Sequence, residues 1–188
     1  MTHDPALDAH EHAEHAEHAA HANDPFISRV SITIAVLAVL AASVSSLENV
    51  EEAGAINSAS EAVLAQDQAT DLWNEYQADS LKKHLYGIAA DAGGAKAGKY
   101  ALTSKEQTAK QDHISGEAKA KESEREALMR ASGLHEHRHH WLTGAATMIE
   151  IGIAISTVAI ITRRRAFWQG SILLGVVGLA LLGAAYLV

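Results

Sequence analysis

Hydrophobic positions in this chain gather into three long runs, and polar positions fill one long stretch between the first two. Ile27–Leu47, Trp141–Thr162 and Phe167–Val188 are apolar almost throughout. Each approaches the ~20 residues that a helix needs to cross a bilayer core. The second and third are joined only by residues 163–166, a link with room for a turn and nothing more. The pattern predicts an all-α membrane protein with three transmembrane helices. Ile27–Leu47 reads as an anchor rather than a cleaved signal peptide: an acidic stretch precedes it, and the run is longer than an ordinary signal core.

Residues 48–140 are polar yet helical in rhythm, and they predict an extramembrane helical hairpin. Ile56, Ala59, Val63, Gln66, Thr70, Trp73, Gln77, Ser80 and His84 recur at alternating spacings of three and four, the spacing of a coiled-coil seam. Ala109, His113, Gly116, Ala120, Ser123, Ala127 and Arg130 repeat it later. Between them Gly93 and Gly94 break the pattern, which places the turn near residues 92–98. Thr103 or Ser104 is the expected cap of the second arm, with Glu106 and Gln107 in capping-box positions. A chain folded antiparallel at the glycines puts Trp73 opposite Gly116, Gln77 opposite Asp112, Glu51 opposite Arg138 and Glu52 opposite His137. It also puts Glu48 opposite Trp141 and Ile27 opposite Thr162, so both arms would enter and leave the bilayer at matching heights. Each polar arm would give a stalk of roughly 65 Å at ~1.5 Å per residue.

Charge sets the orientation and narrows the chemistry. Arg29 starts the first run, and Arg163, Arg164 and Arg165 link the last two, so these basic residues fall on one side. By the positive-inside rule that side is cytoplasmic. The N-terminus is then cytoplasmic, with the stalk and C-terminus periplasmic across a bacterial inner membrane. A net charge of -8 argues against nucleic acid as a partner, and the absence of cysteine removes disulfide and thiol chemistry. Residues 1–26 form a His/Glu/Ala-rich tail with Asp4, Asp8, Glu11, Glu14, Glu17 and Asp24 but neither Lys nor Arg. Its composition reads as a solvated tail. Its sharper reading is weak capture of Zn, Ni or Cu, because His12, His15, His18 and His21 stand three residues apart and would share a face of a helix. Asp24 before Pro25 reads as the cap of the first helix.

Two clusters carry candidate chemistry. Glu150 lies inside the second apolar run, where a carboxylate costs on the order of 2.5–3.5 kcal/mol. The same height holds Val39 on the first run and Leu179 on the third, near Gly175, Gly178 and Gly183, and offers no base. A protonated Glu150 would serve as interhelical glue or, in a ring of copies, line an ion or proton path. At the membrane edge, Glu48, Glu51 and Glu52 meet His135, Glu136, His137, Arg138, His139 and His140. The collar reads as an ion-pair belt or as a metal site built from His135, His137, His139 and His140. Small residues four apart, Gly152 with Ser156 and Ala180 with Ala184, suit close helix packing. Neither a phosphate-binding loop nor a nucleophile elbow nor an HExxH motif is present, so no enzymatic activity is expected.

Asp71-Leu72-Trp73-Asn74-Glu75-Tyr76-Gln77-Ala78-Asp79-Ser80-Leu81-Lys82, set between one early and two late spans, resembles a segment of the bacterial membrane family called domain of unknown function 4337. The resemblance covers residues 25–188. It implies the three-span topology and no activity. Many members carry a base where this chain has Asp79. On the residues themselves, Trp73, Tyr76 and Gln77 read as packing positions over the hollow left by Gly116. The whole pattern favours a homo-oligomeric scaffold that presents its stalk, alone or to a protein partner. An ion or proton conductor built on Glu150, and a metal-handling protein built on the histidines, are the alternatives.

Overall fold

A computed structural model of the chain describes residues 24–187, and these residues form helices without any strand. Helix α1 spans Pro25–Asp91 (67 residues), α2 spans Ala97–Thr162 (66 residues) and α3 spans Arg165–Leu187 (23 residues). Each contains a stretch long and apolar enough to cross a membrane.

Local chemistry explains where the helices begin and stop. Asp24 caps α1: its Oδ1 accepts the Phe26 N–H at 2.9 Å, and Pro25 takes the first helical position, where no N–H is needed. Gly93 and Gly94 adopt φ of 79° and 100°, backbone that glycine enters freely, and they end α1. The N–H of Ala97 then bonds the Gly94 carbonyl at 3.1 Å. Helix α2 therefore starts at Ala97, ahead of the cap expected at Thr103 or Ser104. Those hydroxyls do other work: Thr103 donates to the Lys99 carbonyl of its own helix, and Ser104 donates across to the Lys83 carbonyl, both at 3.2 Å. The second break needs only residues 163–164, with Arg163 at φ 53°. Gly54, Gly87, Gly98 and Gly133 all lie inside continuous helix.

Contacts divide the chain into two units, Met1–Ala55 with Gly133–Val188, and Ile56–Ser132. In the first, α1 contributes Val30, Ile34, Leu37, Ala38, Ala41 and Val44 to an apolar core. Helix α2 adds Leu142, Ala145, Ala146, Ile149, Ile153 and Ala159, and α3 adds Ala185. Glycines let α3 approach closely. A Cβ at Gly178 would stand 2.9 Å from the Ala145 carbonyl oxygen, and one at Gly175 would meet the end of Leu37 at 2.6 Å. Of the small pairs expected in packing, Gly152 and Ser156 do face inward, whereas Ala180 is exposed. Gly175 and Gly178 take the place assigned to the alanines.

In the second unit the cross-contacts run in opposite order along the two segments: Gln66 with Arg125, Trp73 with Glu122, Tyr76 with Gln111, and Lys83 with Ser104. The seam is not the expected one. On α1 it passes through the buried Ala62, Ala65, Ala69 and Asp79, while Ile56 and Val63 are each 61% exposed. On α2 it passes through Gln111, Ile114 and Ala118. Both seams keep alternating steps of three and four but sit one position before the expected residues on α1 and two before on α2. On α1 the reason is largely size: Ala62, Ala65 and Ala69 let the two helices approach closely and Val63 turns out, while Asp79, Gln111 and Ile114 are the larger side chains that the seam encloses.

Candidate functional site

Helix α2 buries Leu142, Ala145, Ala146, Ile149, Gly152, Ile153, Ser156 and Ala159 against α1 and α3. Its opposite face carries Thr143, Thr147, Glu150, Ala154 and Thr157, all exposed and again spaced by fours and threes. The stripe is polar, although it lies within the apolar run. Thr147 and Thr157 donate to the carbonyls of Thr143 and Ile153 at 2.8 and 3.2 Å, and the Thr143 hydroxyl is shared between the His139 carbonyl at 3.0 Å and Glu48 of α1 at 2.6 Å. Glu150 has no hydrogen-bond or ion-pair partner among the described residues. The expected neighbours do not reach it. Val39 is 67% exposed on α1, Gly175 receives Leu37, and Gly178 receives Ile149. Glu150 is exposed on this face of α2. The threonines at matching spacing were the sequence signal that this whole face is polar.

The collar closes around Glu51, which is 6% exposed. His135 Nδ1 lies 2.6 Å from its Oε2, and Arg138 lies 3.8 Å from Oε1. The Tyr186 hydroxyl on α3 donates to Oε1 at 3.5 Å, and the Arg138 guanidinium sits 5.4 Å over the Tyr186 ring. One buried carboxylate therefore ties all three helices together. Gly54 makes this possible, because a Cβ there would stand 2.9 Å from His135 Nδ1. Glu48 accepts the Thr143 hydroxyl at 2.6 Å, while Glu52 is exposed. The other imidazoles go separate ways. His137 accepts the Trp141 indole N–H at 3.1 Å, His139 faces the Glu48 carbonyl at 3.5 Å, and His140 lies 3.9 Å from Glu136. Among the described residues no three His, Asp or Glu side chains converge on one point. His12, His15, His18 and His21 lie outside the described residues.

In the Ile56–Ser132 unit, Trp73 stands edge-on to Tyr76 with centroids 5.5 Å apart, and its indole N–H donates to Glu122 at 2.9 Å. The hollow expected opposite Trp73 does not take it: a Cβ at Gly116 would meet nothing within 4 Å. Gln77 is exposed rather than packed. The buried group that sequence reasoning passed over is Asp79, fully enclosed, with Lys82 and Lys110 each 2.8 Å from its oxygens. Glu75 holds the other side of Lys110 at 2.7 Å. Hydrogen bonds from Lys110 and Lys82 keep the Asp79 carboxyl below the ordinary aspartate value, and those from Asp79 and Glu75 raise the Lys110 ammonium above the ordinary lysine value. The signal was present as Asp79 and Lys82 three apart on a helix.

At the end of the three-helix unit where α1 begins, Arg163 reaches Asp24 at 3.8 Å. Arg29 and Arg165 line a cavity of about 390 Å³ with Phe26, Trp168 and Gln169. Two of the four arginines at this end, Arg29 and Arg165, thus line one pocket.

A family model described as "Domain of unknown function (DUF4337)" matches residues 26–188. No curated protein and no solved structure matches the chain.

Proposed function

The chain belongs to the domain-of-unknown-function 4337 family, and we propose that it is a non-enzymatic membrane protein whose copies associate through the Glu150 face of α2. In this reading the apolar stretches of α1, α2 and α3 cross the bilayer. The rest of α1 and α2 forms an antiparallel hairpin stalk on the periplasmic side of a bacterial inner membrane, and the arginine-rich end is cytoplasmic.

The observation that carries it is the outward position of Glu150, mid-way along an apolar stretch. Facing lipid, a carboxyl there is costly by about 2.5–3.5 kcal/mol even on translocon scales. Identical neighbours relieve that cost, because side chains that meet between copies are withdrawn from lipid and hydrogen-bond across the contact. Thr143, Thr147, Ala154 and Thr157 keep the surrounding face small enough for close approach. On the stalk, Ile56, Val63, Leu81, Leu85 and Ile88 are all more than half exposed, which supports self-association or a protein partner there too.

A second reading follows from the same polar stripe. If copies arrange Glu150 and the threonines around an axis, the ring could pass protons or cations. Metal handling by the tail histidines together with the membrane-proximal His/Glu collar is the remaining alternative, with the collar imidazoles each next to a different neighbour in this structure.

The test is the oligomeric state of the full chain in nanodiscs. Glu150→Gln retains a donor and an acceptor and should preserve the assembly, whereas Glu150→Leu should dissociate it. An oligomer unchanged by Glu150→Leu rules out this face. Proton flux that disappears in Glu150→Gln without loss of the assembly would put conduction ahead of scaffolding.

A further inference from the structure

The cavity beside Arg29 and Arg165 does not stand alone. Its walls come from the first turns of α1 and α3: Asp24, Pro25, Phe26 and Arg29 on one side, Arg165, Trp168 and Gln169 on the other. The next turns of the same two helices enclose a second cavity of about 260 Å³, lined by Ile32, Val36 and Leu40 of α1 and Ile172, Val176 and Leu179 of α3 among others. Thr33 lines this second cavity and accepts the Trp168 indole N–H at 3.0 Å, and Trp168 lines the first. The two cavities are therefore stacked along one helix–helix groove. Position 29 leads to 32, 33, 36 and 40 by helical steps on α1, and 168 and 169 lead to 172, 176 and 179 on α3, so each helix uses a single face.

The chemistry changes sharply along this groove. The first cavity holds two guanidinium groups and one carboxamide. Its carboxylate, Asp24, is already engaged by the Phe26 N–H and by Arg163. Among the described residues no carboxylate lies within ion-pairing distance of Arg29 or Arg165. The second cavity is apolar, apart from the satisfied Thr33 hydroxyl. The helical rise from Arg29 to Leu40 spans roughly 16 Å, a distance an acyl chain can follow. The Trp168 ring stands edge-on to Phe26 with centroids 6.2 Å apart, an aromatic pair at the junction of charged and apolar zones.

We propose that this groove is a binding site for one anionic phospholipid. Its headgroup phosphate sits between Arg29 and Arg165 with Gln169 as a further donor, and one acyl chain lies along Ile32, Val36, Ile172 and Val176. The inference rests on the membrane-spanning part of the reading above and is independent of the Glu150 face. A phosphate alone would use only the charged cavity; the apolar cavity next to it on the same two helices is what selects a lipid.

The test uses the full chain. Flotation with phosphatidylcholine vesicles comes first, and a chain that does not float refutes the membrane reading itself. Native mass spectrometry then follows retention of phosphatidylglycerol against phosphatidylcholine with the same acyl chains. We expect a preference of about thirtyfold for the anionic lipid, from two arginine contacts of ordinary interfacial strength. Arg29→Gln with Arg165→Gln should bring the two lipids to parity, and Arg164→Gln, equal in charge to either single change but outside the groove, should leave the preference intact. Should the double variant fail to float, Arg29→Gln alone gives the same readout at reduced amplitude. Parity in the unaltered chain, preference surviving the double change, or equal loss with Arg164→Gln overturns the site. Displacement of the lipid by inorganic phosphate would assign the charged cavity to a soluble anion and overturn the lipid assignment.

Discussion

Asp79, which is buried, and Lys110, which is half exposed, show how one ion pair shapes pH behaviour. Asp79 is held below its ordinary value of 3.8, so its stabilising effect is complete above that value and is lost as pH falls through the lower folded one. Lys110 is held above 10.5, so its effect is complete below that value and is lost only as pH rises through the higher folded one. The pair therefore works across the whole neutral range. We expect Asp79→Asn to lower the melting temperature of the full chain at pH 7, followed by helix ellipticity. The gap to the unaltered chain should narrow below about pH 4, where the unaltered pair is itself lost. An equal gap at pH 3 and pH 7 would remove the ion pair as its cause. At Gly178 the relevant contact is backbone. Gly178→Ala drives a methyl toward the Ala145 carbonyl oxygen at 2.9 Å and should cost about 1–3 kcal/mol by overpacking. Gly175→Ala meets only the flexible end of Leu37 and should cost less. Melting curves of the two variants in one detergent decide the order, and a Gly175 variant as damaged as the Gly178 variant contradicts it.

Among the elements, the helices were legible and their faces were not. The glycine pair that ends α1 is plain in the sequence, because only glycine enters φ near +80° to +100° without strain. The seam of the Ile56–Ser132 unit was not legible, because periodicity gives a spacing without a phase and the larger residues suggest a phase that the packing does not follow. Here the inside belongs to Ala62, Ala65, Ala69 and Ala118, and Val63 points out. This assignment has a direct consequence. Ala65→Leu should destabilise the helix pair by about 1–3 kcal/mol. Val63→Leu, one position on, should change it by no more than about 0.5 kcal/mol. Denaturation of the two variants distinguishes the observed seam from the expected one, and a Val63 variant that is the worse of the two would restore the latter. Glu150 was legible as an anomaly from its place in an apolar run. Its direction was not, because that depends on which face of α2 packs inward, and Ile149 and Ile153 settle that only once the neighbours are present.

For the molecule as a whole, the polar groups of the apolar stretches fall into different settings. Thr147 and Thr157 bond within their own helix, Thr33 accepts from Trp168 across helices, the Ser31 and Ser156 hydroxyls are buried without a partner, and Glu150 is exposed. The collar adds a clamp: Glu51 engages His135, Arg138 and Tyr186, so α1, α2 and α3 are bound where the apolar zone ends. The lipid groove between α1 and α3 and the polar face of α2 use different helix surfaces, which leaves room for both in one assembly. What the sequence could not disclose was this division of surfaces, because it arises from three helices packed together rather than from any one of them.

The most direct measurement is cross-linking between copies in native membranes, made simple by a chain without cysteine. Ala154→Cys places a single thiol one turn from Glu150 on the proposed face, and Val39→Cys places one on the exposed side of α1. Under mild oxidation the account expects a covalent dimer from Ala154→Cys, little from Val39→Cys, and loss of the Ala154→Cys dimer when Glu150→Leu is added. A dimer that forms equally from both positions, or that survives Glu150→Leu, contradicts the claim that copies meet through Glu150.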